Sequence, residues 1–206
     1  MRLPVAVAVA VVVALLGAAP APGAERVVVV LGDSLTAGQG VARDEAYPAL
    51  LEARLRGEGF PYRVVNAGVS GDTSAGGLRR VDWVLRTKPA VVIVALGAND
   101  GLRGLPVDAL GENLTAIVRR LRAAGARVLL AGMRVPPNYG DDYARAFAAV
   151  FPAVARRTGV PLAPFLLDGV AGDARLNQPD GIHPTPEGQR VMADRLWPHL
   201  RPLLTR

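Results

Sequence analysis

The stretch VVVVLGDSLTAGQG runs from Val27 to Gly40. Four valines and a leucine lead directly into Gly32-Asp33-Ser34-Leu35. An apolar run without polar alternation is the pattern of a strand covered on both faces, as in a parallel sheet. In such sheets ligands gather at the carboxyl ends of the strands. A serine between a strand and a helix is ordinarily an N-cap. It is also where a nucleophile would stand, and the rest of the chain has to decide between the two.

Outward from this strand (Arg26–Leu31), apolar spacing predicts a helix over Glu45–Arg56, with Pro48 in its first turn. A short strand follows at Arg63–Asn66. Ala75–Arg86 is amphipathic, with Leu78, Val81, Trp83 and Leu85 available for packing, and Pro89 stops it. Ala90–Leu96 is a second buried strand. Val107–Ala124 is a helix with Leu110, Leu114, Ile117, Val118 and Leu121 on one stripe, closed by Gly125. Arg127–Ala131 is a strand, Asp141–Arg157 a helix bent at Pro152, Val160–Phe165 a last strand and Pro186–Leu200 a last helix. Five alternations of strand and helix predict an α/β domain with a five-stranded parallel sheet and helices on both faces. The loops where chemistry belongs read GDSLTAGQG, NAGVSGDTS, GANDGLRG, GMRVPPNYG and DGIHPTPEG.

The 206 residues fit one domain, and half of them are hydrophobic. The formal charge is +6, carried almost wholly by arginine, with Lys88 the only lysine. The arginines are scattered, which is the pattern of a solvated surface and not of a nucleic-acid site. Their natural partners are acidic surfaces such as phospholipid headgroups, touched transiently. Cysteine is absent, so disulfides and thiol chemistry are excluded. Met1-Arg2 followed by an apolar run from Val5 to Leu16 and then small residues and prolines reads as a secretory signal peptide, residues 1–23, cleaved after Gly23. The run is shorter than a membrane span needs. The expectation is a periplasmic or secreted domain over residues 24–206, working as a monomer.

Histidine is scarce. His199 lies near the end of the last helix and reads as a helix-end residue. His183 follows Asp180 by three residues, across Gly181. That spacing can bring a carboxylate to one imidazole nitrogen and leave the other free to take a proton. The same spacing also fits a turn in which Asp180 caps backbone amides, and the segment alone does not choose. As a nucleophile, Ser34 would need His183 as base and donors for an oxyanion. The Ser34 amide, the Gly71 amide and the Asn99 side chain are candidates. Each alone is an ordinary turn residue. Their occurrence on separate post-strand loops of one sheet favours the catalytic reading.

Other chemistries lack their residues. Gly38-Gln39-Gly40 is followed by Arg43 where a dinucleotide fingerprint needs glycine. No phosphate-binding Gly-Lys-Ser/Thr loop is present. Asp72, Asp141 and Asp142 have none of the companions of a metal site. The Gly-x-Ser-x-Gly elbow is missing around Ser34.

The four blocks around Ser34, Gly71, Asn99 and Asp180/His183 resemble those of the SGNH (GDSL) hydrolases. Within that family, Gly101–Gly104 and Pro136–Gly140 resemble loops of the bacterial periplasmic thioesterase/lysophospholipase/arylesterase enzymes. One departure is Ala98, where relatives often carry glycine. The resemblance implies a three-layer α/β/α flavodoxin-like fold, with no cofactor and no metal. It implies a serine esterase acting on small-molecule acyl esters and thioesters: aryl esters, short to medium chains and lysophospholipids. Ser34 would be nucleophile, His183 base, Asp180 its orienting acid, and Gly71 and Asn99 oxyanion donors. Acyl transfer to alcohols and deacetylation of glycans are the alternatives on the same residues. A non-catalytic module would need a defect in this set, and none is present. By the same resemblance Leu102, Leu105, Val135 and Pro136 border the acyl pocket.

Overall fold

The computed structural model describes residues 25–206; the expected signal peptide, 1–23, lies outside them. Strand β1 (Arg26–Gly32) pairs in parallel on both sides, with β2 (Tyr62–Gly68) and β3 (Val91–Ala95). Strands β4 (Arg127–Ala131) and β5 (Leu162–Ala163) extend the sheet in the order β2-β1-β3-β4-β5, all parallel. Val28 to Leu31 and Val91 to Val94 are fully buried, as unbroken apolar strands covered on both faces must be.

On one side α3 (Ser74–Arg86), α5 (Val107–Ala123) and α6 (Asp141–Thr158) pack in series. On the other, α2 (Tyr47–Gly57) packs against α7 (Pro186–Leu200). This is the expected three-layer α/β/α architecture. The order 2-1-3-4-5 places its topological switch point between β1 and β3, where loops leaving the two strands diverge.

Three details differ from the sequence reading. The last strand is two residues long, not six. Pro161 and Pro164 flank it, and neither has an N–H to give to a ladder. Two short helices, α1 (Ser34–Ala37) and α4 (Ala98–Leu102), occupy segments expected to be loops; four or five residues carry no periodicity to read. Trp83 does not join the core and is 43% exposed. Val81 and Val84 form the buried face of α3, and a residue two positions from Val81 is turned about 200° around the axis.

The contrast between α5 and α3 is measurable. Ile117, fully buried on α5, should cost about 2–5 kcal/mol on Ile117→Ala. Trp83→Ala, despite removing more atoms, should cost less than about 1 kcal/mol. Urea unfolding of both variants checks this; equal losses would place Trp83 in the core.

Candidate active site

The β1 strand ends where α1 presses down on it. A side chain on Gly32 would put its Cβ 1.9 Å from Thr36 Oγ1, so the strand ends on glycine to let the helix approach. Asp33 is the N-cap of α1, its Oδ1 accepting from the Leu35 amide at 3.0 Å. The capping role that Ser34 was weighed for therefore falls to its neighbour, and the Ser34 hydroxyl is free of it. Asn66 on β2 anchors the same helix, donating to the Thr36 carbonyl at 2.7 Å while its Oδ1 accepts from the Gly68 amide. Beneath them the Thr36 and Tyr47 hydroxyls share a buried 2.6 Å hydrogen bond.

The segment bearing Asp180 and His183 lies between β5 and α7. Gln178 ties it to the loop after α1, donating through Nε2 to the Gln39 and Pro184 carbonyls at 2.7 and 3.0 Å. Asp180 does both things the sequence left open. Its Oδ1 accepts from the Ile182 and His183 amides, each at 3.0 Å, and its Oδ2 lies 2.7 Å from His183 Nδ1. His183 Nε2 lies 3.0 Å from Ser34 Oγ, across 149 residues of chain. The hydrogen bond from His183, with the two amides, holds the Asp180 carboxyl down to about 2. An ionised carboxylate only accepts, so Nδ1 carries a proton toward Asp180, and Nε2 is the ring nitrogen that faces the serine hydroxyl.

Gly71 has φ of +78°, left-handed backbone that a side chain would strain. Its carbonyl accepts from Arg103 at 2.8 Å. Asn99, in the first turn of α4, donates one amide proton to the Asp72 carbonyl at 2.9 Å. Ala98 costs nothing here: φ is positive at Gly97, +121°, and Ala98 is helical.

Ser34, Gly71, Asn99 and His183 line one cavity of about 670 Å³, with Asp180 behind the histidine. Its walls include Leu102, Val135 and Pro136, as expected, but not Leu105. Leu105 instead offers its carbonyl to the Tyr143 hydroxyl. Met133, Phe165, Leu167 and Ile182 also line the cavity and were missed. The brevity of β5 brings the loop starting at Pro164 to the sheet edge sooner than the sequence reading allowed. His199, in the last turn of α7, is not part of the cavity. Among the described residues no group of three or more His, Cys, Asp or Glu side chains could hold a metal ion.

A serine, a histidine and an acid in one hydrogen-bonded line, at the switch point of a parallel sheet, is the arrangement of serine hydrolases. The sequence model of the GDSL-like Lipase/Acylhydrolase family matches residues 30–191. The chain belongs to that family. It is 47% identical over 182 residues to esterase TesA of Pseudomonas aeruginosa, covering 88% of this chain and 90% of that protein. It is 41% identical over 176 residues to thioesterase 1/protease 1/lysophospholipase L1 of Escherichia coli, covering 85% and 83%. Among solved structures, that of TesA superposes with a TM-score of 0.85 at 47% identity, covering 87% of this chain and all of the other.

Asp33 is the second acid beside the serine. It is 1% exposed, and its Oδ2 has no protein hydrogen-bond partner. Burial pushes its carboxyl up from the ordinary 3.8 to about 6, opposed by the Leu35 amide. A carboxyl raised on folding stabilises less as pH climbs through that value, by about 3 kcal/mol for a two-unit rise. The stability of Asp33→Asn relative to wild type should therefore improve by roughly that amount between pH 4 and pH 8. Urea melts at both pH values test it; a difference independent of pH would mean that Asp33 titrates normally.

Proposed function

We propose that the protein is an exported serine hydrolase that cleaves small-molecule carboxylic esters and thioesters through an acyl-enzyme. The observation that carries this reading is the continuous line from Asp180 Oδ2 to His183 and on to Ser34 Oγ, with bonds of 2.7 and 3.0 Å. Ser34 Oγ attacks the acyl carbonyl while His183 Nε2 takes its proton. Asp180 keeps the ring in the right tautomer and stabilises the imidazolium. The Ser34 and Gly71 amides and the remaining Asn99 N–H hold the oxyanion. His183 gives that proton to the departing alcohol or thiol, then takes one from a water that attacks the acyl-enzyme, and passes it to Ser34 Oγ as the carboxylic acid leaves.

The mainly apolar cavity supports an acyl chain as the group bound beside Ser34. Leu102 and Ile182, both large, apolar and exposed, stand at its wall and support passing contact with lipid aggregates. Thioester and lysophospholipid substrates are supported by the names of the relatives. Export is supported by the leader-like residues 1–23 and predicts a mature chain beginning at Ala24, which intact mass of the protein recovered from the periplasm or medium would check. We take the working form to be a monomer.

Hydrolysis of p-nitrophenyl esters by the mature protein tests the chemistry. Ser34→Ala should abolish burst and turnover, leaving at most the residual catalysis of binding and the oxyanion site. Asn99→Ala should lower kcat by about 10²–10³-fold with KM little changed. Full activity in Ser34→Ala would remove the nucleophile from the scheme.

A further inference from the structure

One side chain outside the cavity holds two of the three segments that carry the proposed oxyanion donors and reaches the third through Asp72. Arg80 lies on α3, and its guanidinium reaches three separate pieces of backbone or side chain. Nε and Nη2 donate to Asp72 Oδ2 at 2.9 and 2.6 Å. Nη1 donates to the Ala67 carbonyl at the end of β2, at 3.1 Å. Nη2 also donates to the Gly32 carbonyl at the end of β1, at 3.3 Å. The pair is largely shielded, with side-chain exposures of 24% for Arg80 and 12% for Asp72.

Two of these contacts sit one or two residues from a donor. Gly32 is two residues before Ser34. Asp72 is bonded directly to Gly71. The third donor is reached through the same residue, because the Asp72 carbonyl accepts from Asn99 Nδ2 at 2.9 Å. Val69, Ser70 and Gly71 form an exposed tip between β2 and α3. Within it the Val69 carbonyl accepts from the Asp72 amide at 3.0 Å, and the Val69 amide reaches back to the Gly32 carbonyl at 3.1 Å. Such a tip has little packing of its own to hold an amide in place. An oxyanion site, however, works only if its donors stand where charge will develop before it develops.

We infer that Arg80 is a positioning residue for the hydrolytic reaction, setting the spacing of the Ser34, Gly71 and Asn99 donors through Gly32, Asp72 and the Asp72 carbonyl. This rests on the serine-hydrolase reading above. Arginine suits the task because its planar fork presents five donors in fixed directions and can serve several acceptors at once. A lysine would supply the charge at one point and lose the span. Misplacement of reacting groups by about 1 Å is enough to cost on the order of 10²-fold in rate.

The test compares wild type, Arg80→Lys, Arg80→Met and Asp72→Asn in ester hydrolysis, with thermal melts alongside. Arg80→Met should lower kcat by about 10-fold to 100-fold while KM stays within about twofold, and Arg80→Lys should recover only part of the loss. Because Arg80 acts through the donors, its effect should shrink when Asn99 is already alanine. The Arg80→Met/Asn99→Ala double variant should therefore lose less than the product of the two single losses. Undiminished kcat in folded Arg80→Met, or a fully multiplicative double variant, overturns the inference. If Arg80→Met does not fold, Arg80→Lys and Asp72→Asn carry the same test, and wild-type kcat in both overturns it. An inactive wild type, or an active Ser34→Ala, would instead overturn the serine-hydrolase reading itself.

Discussion

Everything in this fold is arranged around β1 being paired in parallel on both edges and covered on both faces. Because the strand has no solvent side, its chain must leave abruptly at the carboxyl end. Because its neighbours β2 and β3 are connected outward in opposite directions, the loops there part and leave a crevice. A strand whose core is four valines and a leucine gives little register information by alternation, since both faces are apolar. The ends supply it. Gly32 stands level with Gly68 on one side and Ala95 on the other. Gly32 and Gly68 are the floor on which α1 rests, and α1 carries Ser34.

Two acids serve the site from opposite electrostatic circumstances. Asp180 is half in water, accepts three hydrogen bonds, and is held down to about 2. Asp33 is out of water with one oxygen lacking a protein partner, and burial raises it to about 6. Environments that push neighbouring titratable groups apart are how such sites divide their roles. Here the exposed acid faces the histidine, and the buried one braces the turn that presents the serine. The bracing acid is a local cost to stability, accepted where the backbone has to be stiff.

A second polar layer supports the proposed donors. Buried Asp100 accepts from the Ser74 amide and hydroxyl at 2.8 and 2.6 Å, and Asn113 donates to the same hydroxyl at 3.0 Å. This ties α4, which carries Asn99, to the start of α3 and to α5. With the Arg80–Asp72 pair it makes a continuous polar support beneath the exposed tip at Gly71. Such networks are rigid only when their members are satisfied.

Much of this was legible from the residues alone. Strand runs such as Val27–Leu31 and Ala90–Leu96, and the stripe on α5, are repeated local signals, and repetition is what makes periodicity readable. The positions of Ser34, Gly71, Asn99, Asp180 and His183 were also legible, because each stands just past a strand or before a helix, where small and polar residues have no core to join. The sequence by itself thus determined the alternation of elements, the parallel sheet it implies and the loops that supply the polar residues of the cavity. Only the tertiary structure decided that Asp33 caps α1 so that Ser34 need not, that Trp83 faces water, that β5 is cut short, and that Met133, Phe165, Leu167 and Ile182 wall the cavity. It also decided which acceptors one arginine among so many would find. Those outcomes depend on distances between segments far apart in the chain, and local composition carries no record of a partner brought near only by packing.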